Sequence, residues 1–160
     1  MKKLYIYNEK KQCYFYDEAW VGDGEITEHI GQLGTRGRVK THARDQALSE
    51  EENILKALAP AIRGGYKQIP IADHYTLLIE YSVDGFGTPE DLDKRYALQD
   101  RMGETLGWTG LGHCDGGSIG SGTMEVCCFV VDFDVATRVI QDDLKGTKFA
   151  DFTRIYNENA

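Results

Sequence analysis

Two helix starts constrain this chain more than any other feature, because they mark where extended structure must give way. Ser49-Glu50-Glu51-Glu52 has the form of a capping box, with three acids in the first turn, where they oppose the helix dipole favourably. Thr88-Pro89-Glu90-Asp91 supplies an N-cap, a proline at the first helical position and two first-turn acids. Ahead of Ser49 the chain reads as strands. Leu4 to Tyr7 and Cys13 to Val21 are aromatic and β-branched runs separated by Asn8 to Gln12 and closed by Gly22-Asp23-Gly24. Glu25 to Leu33 and Val39 to Ala43 follow, joined through Gly34-Thr35-Arg36-Gly37, and complete a four-stranded antiparallel meander.

The helix opened at Ser49 places Ile54, Leu55, Leu58 and Ile62 on one face, with Pro60 as a kink or break and Gly64-Gly65 as its end. Beyond Lys67 to Asp73, Tyr75 to Val83 reads as a strand. In the helix opened at Thr88, Leu92, Tyr96, Leu98, Met102 and Leu106 form the face toward a sheet. Trp108 to Cys114 and Thr123 to Phe133 read as strands across a glycine-rich turn. Asp134 caps a last helix, Val135 to Lys145, and Phe152 to Tyr156 returns as an edge strand. The order β-α-β-β-α-β is that of a ferredoxin-like split β-α-β module. The expected fold is therefore α+β with two domains, residues 1–69 and 70–160.

Charge separates the same two segments. Residues 1–69 hold 11 Lys and Arg against 10 Asp and Glu, whereas residues 70–160 hold 7 against 16, so the net −8 resides in the second segment. An acidic surface disfavours nucleic acid and favours basic proteins. The apolar stretch behind Met1-Lys2-Lys3 ends at Asn8, far short of a secretion signal, and the longest apolar run, Val126 to Val131, is strand-length, so no membrane association is expected. Cys13, Cys114, Cys127 and Cys128 show no CxxC spacing, and reduced thiols in a cytoplasmic protein are the expected state.

The run Ile30-Gly31-Gln32-Leu33-Gly34-Thr35-Arg36-Gly37-Arg38, followed by a helix and then Gly65-Tyr66, resembles the WGR domain over roughly residues 3–69. The resemblance implies a small antiparallel sheet packed on a helix. In DNA-dependent poly(ADP-ribose) polymerases such a module helps recognise DNA ends, and it also occurs in bacterial proteins of uncertain role. Ile30-Gly31-Gln32 stands where the family has Trp-Gly-Arg, so only the glycine is kept; the stacking ring and the charged fork suited to phosphate are both replaced.

Candidate binding residues lie in both segments. Arg36, Arg38, Lys40 and His42 alternate with small or apolar residues and, in an extended strand, would make a cationic stripe beside Gln32, suited to phosphates or to an acidic protein surface. Tyr5, Tyr7, Tyr14, Tyr16 and Trp20 read as core and cross-strand packing, with a base-stacking platform as the alternative. Asp115-Gly116-Gly117-Ser118-Ile119-Gly120-Ser121-Gly122 reads as a mobile or bulged hairpin that could serve as a recognition loop through Asp115, Ser118 and Ser121; it lacks the lysine and following helix of a phosphate-binding loop. His113 and Asp115, with Glu125 across the hairpin, form a conceivable acid–base set. Adjacent Cys127 and Cys128 point to opposite sides of a strand, which makes joint metal ligation with Cys114 awkward, and neither a metal nor a cofactor is expected.

The preferred expectation is a noncatalytic protein-interaction protein with a basic partner, of which a bacterial inhibitor or toxin-neutralising immunity protein is one concrete form. The alternatives are a nucleic-acid-binding regulator working through the basic hairpin, and a small metal- or ligand-dependent enzyme using His113 and Asp115.

Overall fold

The structure is a computed structural model that describes residues 1–160. It is mixed α+β, with two four-stranded antiparallel sheets and three α-helices, and divides into two compact units, Met1–Ile69 and Pro70–Ala160. No helix is long and apolar enough to cross a membrane.

In the first unit, β1 (Lys2–Asn8), β2 (Cys13–Gly22), β3 (Glu25–Gln32) and β4 (Arg38–Ala43) pair in chain order as a meander. Alternate residues separate its faces. Leu4, Ala19 and Ile26 pack against Ile54, Ala57, Leu58 and Ala61 of α1 (Glu50–Arg63), with Val21 and Tyr66 at the margin. Each large aliphatic group buried there contributes about 1.5–3 kcal/mol. The capping box forms as expected: Glu52 N–H donates to Ser49 Oγ at 3.2 Å, and Ser49 N–H donates to Glu52 Oε2 at 2.8 Å. Ile62, expected on the inner face, is exposed, because Ile54, Ala57, Leu58 and Ala61 already close the stripe and Ile62 lies about 80° round from Ile54. Pro60 does not divide the helix, which runs to Arg63 and ends at Gly64. The chain then returns to the outer edge of β1, where Tyr5 and Lys67 exchange both backbone hydrogen bonds at 2.8 Å.

The second unit opens with a single 3-10 turn (Ile71–Asp73) and continues through β5 (Tyr75–Ser82), α2 (Pro89–Trp108), β6 (Gly112–Gly120), β7 (Thr123–Val130), α3 (Phe133–Leu144) and β8 (Arg154–Asn157). The strand order is β6-β7-β5-β8, and every neighbouring pair is antiparallel. Leu77, Ile79 and Tyr81 of β5 share a face with Met124, Val126, Cys128 and Val130 of β7, all buried. The helices add Leu98, Met102 and Leu106 from α2 and Ala136, Ile140 and Leu144 from α3 to the buried core. Asp143 ties the two helices, accepting from Arg101 Nε at 2.8 Å and Thr105 Oγ1 at 3.1 Å.

Three expectations for this unit are corrected. Leu92 and Tyr96 are exposed and do not face the sheet, since the inward stripe of α2 is Leu98, Met102, Thr105 and Leu106. Trp108 belongs to α2, where its indole N–H donates to Glu104 one turn earlier at 3.1 Å, so the following strand starts only at Gly112. The last helix is capped by Asp132, which accepts from Val135 N–H at 2.9 Å, and begins at Phe133.

Candidate functional site

The glycine pattern of the β3–β4 hairpin is explained by what lies beneath it. Tyr16 is fully buried, and its hydroxyl donates to the Thr35 carbonyl at 2.8 Å. His29, also fully buried, sets Nε2 3.1 Å from the same hydroxyl and 2.5 Å from the Arg36 carbonyl, while Nδ1 lies 2.8 Å from Glu18 Oε1. Lys3 Nζ completes the chain at 3.1 Å from Glu18 Oε2. Burial, with Glu18 nearby, pushes the Tyr16 phenol well above its ordinary range, so it remains a hydrogen-bond donor. The hairpin closes over this hydroxyl only because two residues lack a side chain. A Cβ on Gly31 would meet Tyr16 Oη at 2.6 Å and Gly37 Cα at 2.9 Å, and Gly37, at φ +61°, would drive a Cβ into the Ile30 carbonyl. The glycines therefore serve a buried polar network.

Arg38, Lys40 and His42 do share one face of β4, opposite Ile30, Glu28 and Ile26. Arg36 does not join them, because it lies in the connection ahead of β4, where the left-handed Gly37 interrupts the alternation. The stripe is partly neutralised from within its own sheet: His42 Nε2 meets Glu28 Oε2 at 2.5 Å, and Lys40 stands opposite Glu28 with Asp17 close by. Asp17 is buried, and burial together with the adjacent Glu28 carboxylate lifts its carboxyl to about 7. Gln32 is exposed at the end of β3 and uses its carbonyl to accept from Thr35 N–H at 3.0 Å and Thr35 Oγ1 at 2.7 Å. The side chains of Arg36, Arg38 and Lys40 are all exposed, so these three members of the expected cationic site stand at the surface.

The glycine-rich run of the second unit is a bulged hairpin, as expected, with strand continuing through most of it. β6 pairs with β7 as far as Gly120, and the reversal is confined to Ser121-Gly122, both with positive φ, as a two-residue hairpin turn requires. Asp115 is the extra residue of a β-bulge between Cys114 and Gly116, Ser118 lies opposite Glu125, and Ser121 sits at the tip, so the three expected binding residues are strung along the hairpin. The acid–base set does not assemble. His113 leans on the Phe129 ring at 5.6 Å, the bulge breaks its alternation with Asp115, and Glu125 accepts from the Tyr156 hydroxyl at 2.7 Å. No group of three or more His, Cys, Asp and Glu side chains is placed to hold a metal ion.

The exposed feature that the pattern of residues does not announce is Phe86. It is 83 % exposed, yet its loop is held at both ends. Val83 N–H donates to the Gly122 carbonyl at 3.0 Å, Gly122 N–H to the Gly85 carbonyl at 2.7 Å, and Gly87 N–H to the Asp84 carbonyl at 2.9 Å, while Thr88 and Asp91 cap α2 reciprocally. In α2, Leu92 and Tyr96 are further exposed apolar side chains, with the Arg95 guanidinium 5.1 Å from the Tyr96 ring and donating to the Gly117 carbonyl at 3.2 Å. Asp93, Asp100 and Glu104 are exposed on the same helix and lie about 80° round from Leu92 and Tyr96, a parallel acidic stripe. An apolar residue between two glycines, just ahead of a strong N-cap, was the available signal for Phe86.

No family model matches the chain, and no curated protein and no solved structure is significantly similar to it.

Proposed function

We propose that the chain is a noncatalytic protein-interaction protein whose second unit receives a basic partner along the outer face of α2. The observation that carries this reading is Phe86, an aromatic side chain almost wholly in solvent on a loop pinned by backbone hydrogen bonds. A rigid exposed aromatic loses little conformational freedom on binding and is the usual kind of anchor in an interface core. Leu92 and Tyr96 extend the anchor, and Asp93, Asp100 and Glu104 edge it with negative charge, which selects for Lys- and Arg-bearing partners and speeds their approach. A toxin-neutralising immunity protein or other bacterial inhibitor is one form such a protein takes.

The strand order β6-β7-β5-β8, all antiparallel with α2 and α3 as the crossovers, supports a ferredoxin-like assignment for residues 70–160. The meander packed on α1, with Gly31 and Gly37 closing the hairpin, supports a WGR-like scaffold for residues 1–69.

The test is affinity capture from native-cell lysate by the wild-type chain, by Phe86→Ser and by Asp93→Asn/Asp100→Asn/Glu104→Gln. The expected result is a basic protein held by the wild type, lost with Phe86→Ser, and weakened by the triple change and by salt. Equal recovery with and without Phe86 would refute the reading. Nucleic-acid binding through the hairpin is the second reading, supported by the exposed Arg36 and Arg38. It requires a mobility shift of DNA ends or RNA at low salt that Arg36→Ala with Arg38→Ala abolishes.

A further inference from the structure

We propose that Cys114 and Cys128 form a peroxide-reactive dithiol, with Cys114 the nucleophile at the cleft beside α2 and Cys128 the buried thiol that resolves it. The two residues are direct cross-strand partners in the β6–β7 ladder, the last pair before the Asp115 bulge. Directly opposed residues in an antiparallel pair have Cα atoms about 4.5–5.5 Å apart, within the span a disulfide bridges without backbone movement. Cys114 Sγ donates to the Gly116 carbonyl at 3.9 Å, and all four cysteines of the chain are free thiols. Cys127 points to the other face of the sheet, opposite Gly116, and has no cysteine partner in the ladder.

Access is asymmetric. Cys114 is half-buried and lines a cleft of about 460 Å³ together with Gln99, Asp100, Gly103, Glu104 and Gly116, whereas Cys128 is fully buried behind it. That is the arrangement of an attacking and a resolving thiol. Interaction with the Cys128 thiol draws the Cys114 thiol down to about 7, against the opposing effects of burial and of the Asp115 and Asp100 charges, while burial and the charges of Asp115, Glu158 and Glu125 push Cys127 up. Near neutral pH the gain in thiolate outweighs the loss of intrinsic nucleophilicity, and Cys114 is expected to react faster than Cys127.

The cleft also selects the oxidant. Asp100, Glu104 and Asp115 repel anionic disulfides such as oxidised glutathione, but they admit a small neutral hydroperoxide. Cys114 thiolate attacks one peroxide oxygen; the O–O bond breaks, an S–O bond forms, and the departing hydroxide takes a proton to leave as water. Cys128 then gives up its proton and attacks the Cys114 sulfur, breaking the S–O bond and forming the S–S bond, while the expelled hydroxide takes that proton as the second water. Two thiols and one hydrogen peroxide thus become one disulfide and two waters. The step uses only this unit's own residues, and because Asp100 and Glu104 at the cleft also belong to the face proposed for the partner, it is tested on the chain alone.

The experiment treats the intact chain with one equivalent of hydrogen peroxide and maps its peptides. A Cys114–Cys128 link that dithiothreitol reverses is expected. Cys128→Ser should instead accumulate a dimedone-trappable sulfenic acid at Cys114, and Cys114→Ser should give neither product. Cys128→Ala serves in place of Cys128→Ser if thermal unfolding shows the serine variant to be unfolded. Oxidation spread evenly over the four cysteines, or failure of the folded wild type to form the link, overturns the proposal. Oxidation by glutathione disulfide as fast as by peroxide overturns the assignment of the oxidant.

Discussion

Gly31→Ala is the most informative single substitution in the first unit, because a one-carbon change there meets only groups that have nowhere to go. The added Cβ would stand 2.6 Å from Tyr16 Oη, 2.8 Å from Tyr16 Cζ and 2.9 Å from Gly37 Cα. Ordinary carbon contacts lie at about 3.5–4.0 Å, so the overlaps approach 1 Å. The Tyr16 ring is fully buried and tied to Thr35 and His29, and Gly37 is backbone already pressed on the Ile30 carbonyl. Overpacking of this kind costs about 1–3 kcal/mol, and if the ring yields, its hydrogen bond to Thr35 is lost for a further 1–3 kcal/mol or so. We expect a destabilisation of about 3 kcal/mol, a large share of the stability of a small domain. Urea unfolding in a Trp108→Phe background would report it through Trp20, which stacks edge-on to His29 at 6.5 Å within this unit. Tyr16→Phe removes the closest of the three contacts, so Gly31→Ala should cost about 1 kcal/mol less in that background than alone. A loss below about 1 kcal/mol for Gly31→Ala, with Trp20 fluorescence unchanged, would show that the hairpin does not close on Tyr16.

Further outcomes follow from the same geometry. Asp17, raised to about 7 from an ordinary 3.8, holds its proton in the folded state where the unfolded chain has lost it; its contribution is therefore greatest below about pH 4 and is lost as pH rises to about 7. Asp17→Asn should remove about 2 kcal/mol of that decline, seen as a flatter stability profile between those limits relative to wild type in chemical denaturation. Ser49→Ala breaks the α1 capping box and should cost the first unit about 1 kcal/mol by the same measurement. Gly103→Ala, inside α2 with nothing within 4 Å of the new methyl, should stabilise the second unit by about 0.5–1 kcal/mol in thermal or urea unfolding.

Most elements were legible because their signals are local. The alternation in β1 to β3 and the hydroxyl–acid spacing at Ser49 and Thr88 act within a few residues, and the elements appear within a residue or two of where they were expected. The errors arose where local chemistry is silent. The four glycines of β6 dilute the apolar alternation on which strand reading depends, so the sequence predicts strand only as far as Cys114, although the ladder to β7 continues past the Asp115 bulge to Gly120. Helical phase alone turns Ile62, Leu92 and Tyr96 inward, but which stripe is buried depends on what the helix packs against, and small residues such as Ala57 and Ala61 can hold the inner face. The candidate site suffered most. Arg36 and Arg38 are legible, yet the Glu28 carboxylate that meets His42 comes from the neighbouring strand, and the pairing of Cys114 with Cys128 depends on a ladder register that spacing cannot supply.

The bulge at Asp115 has a consequence for how this strand can change length over evolutionary time. Cys114 and Gly116 are paired with Cys128 and Cys127, successive residues of β7, and Asp115 is the one residue between them without a partner. Deleting Asp115 would leave every other pairing in place and every downstream side chain on its present side, whereas deleting any residue between Gly116 and Gly120 would turn part of the hairpin inside out. Within β6, homologues one residue shorter are therefore expected to carry the gap at this position, and an alignment that puts it elsewhere in the strand would be misaligned in three dimensions.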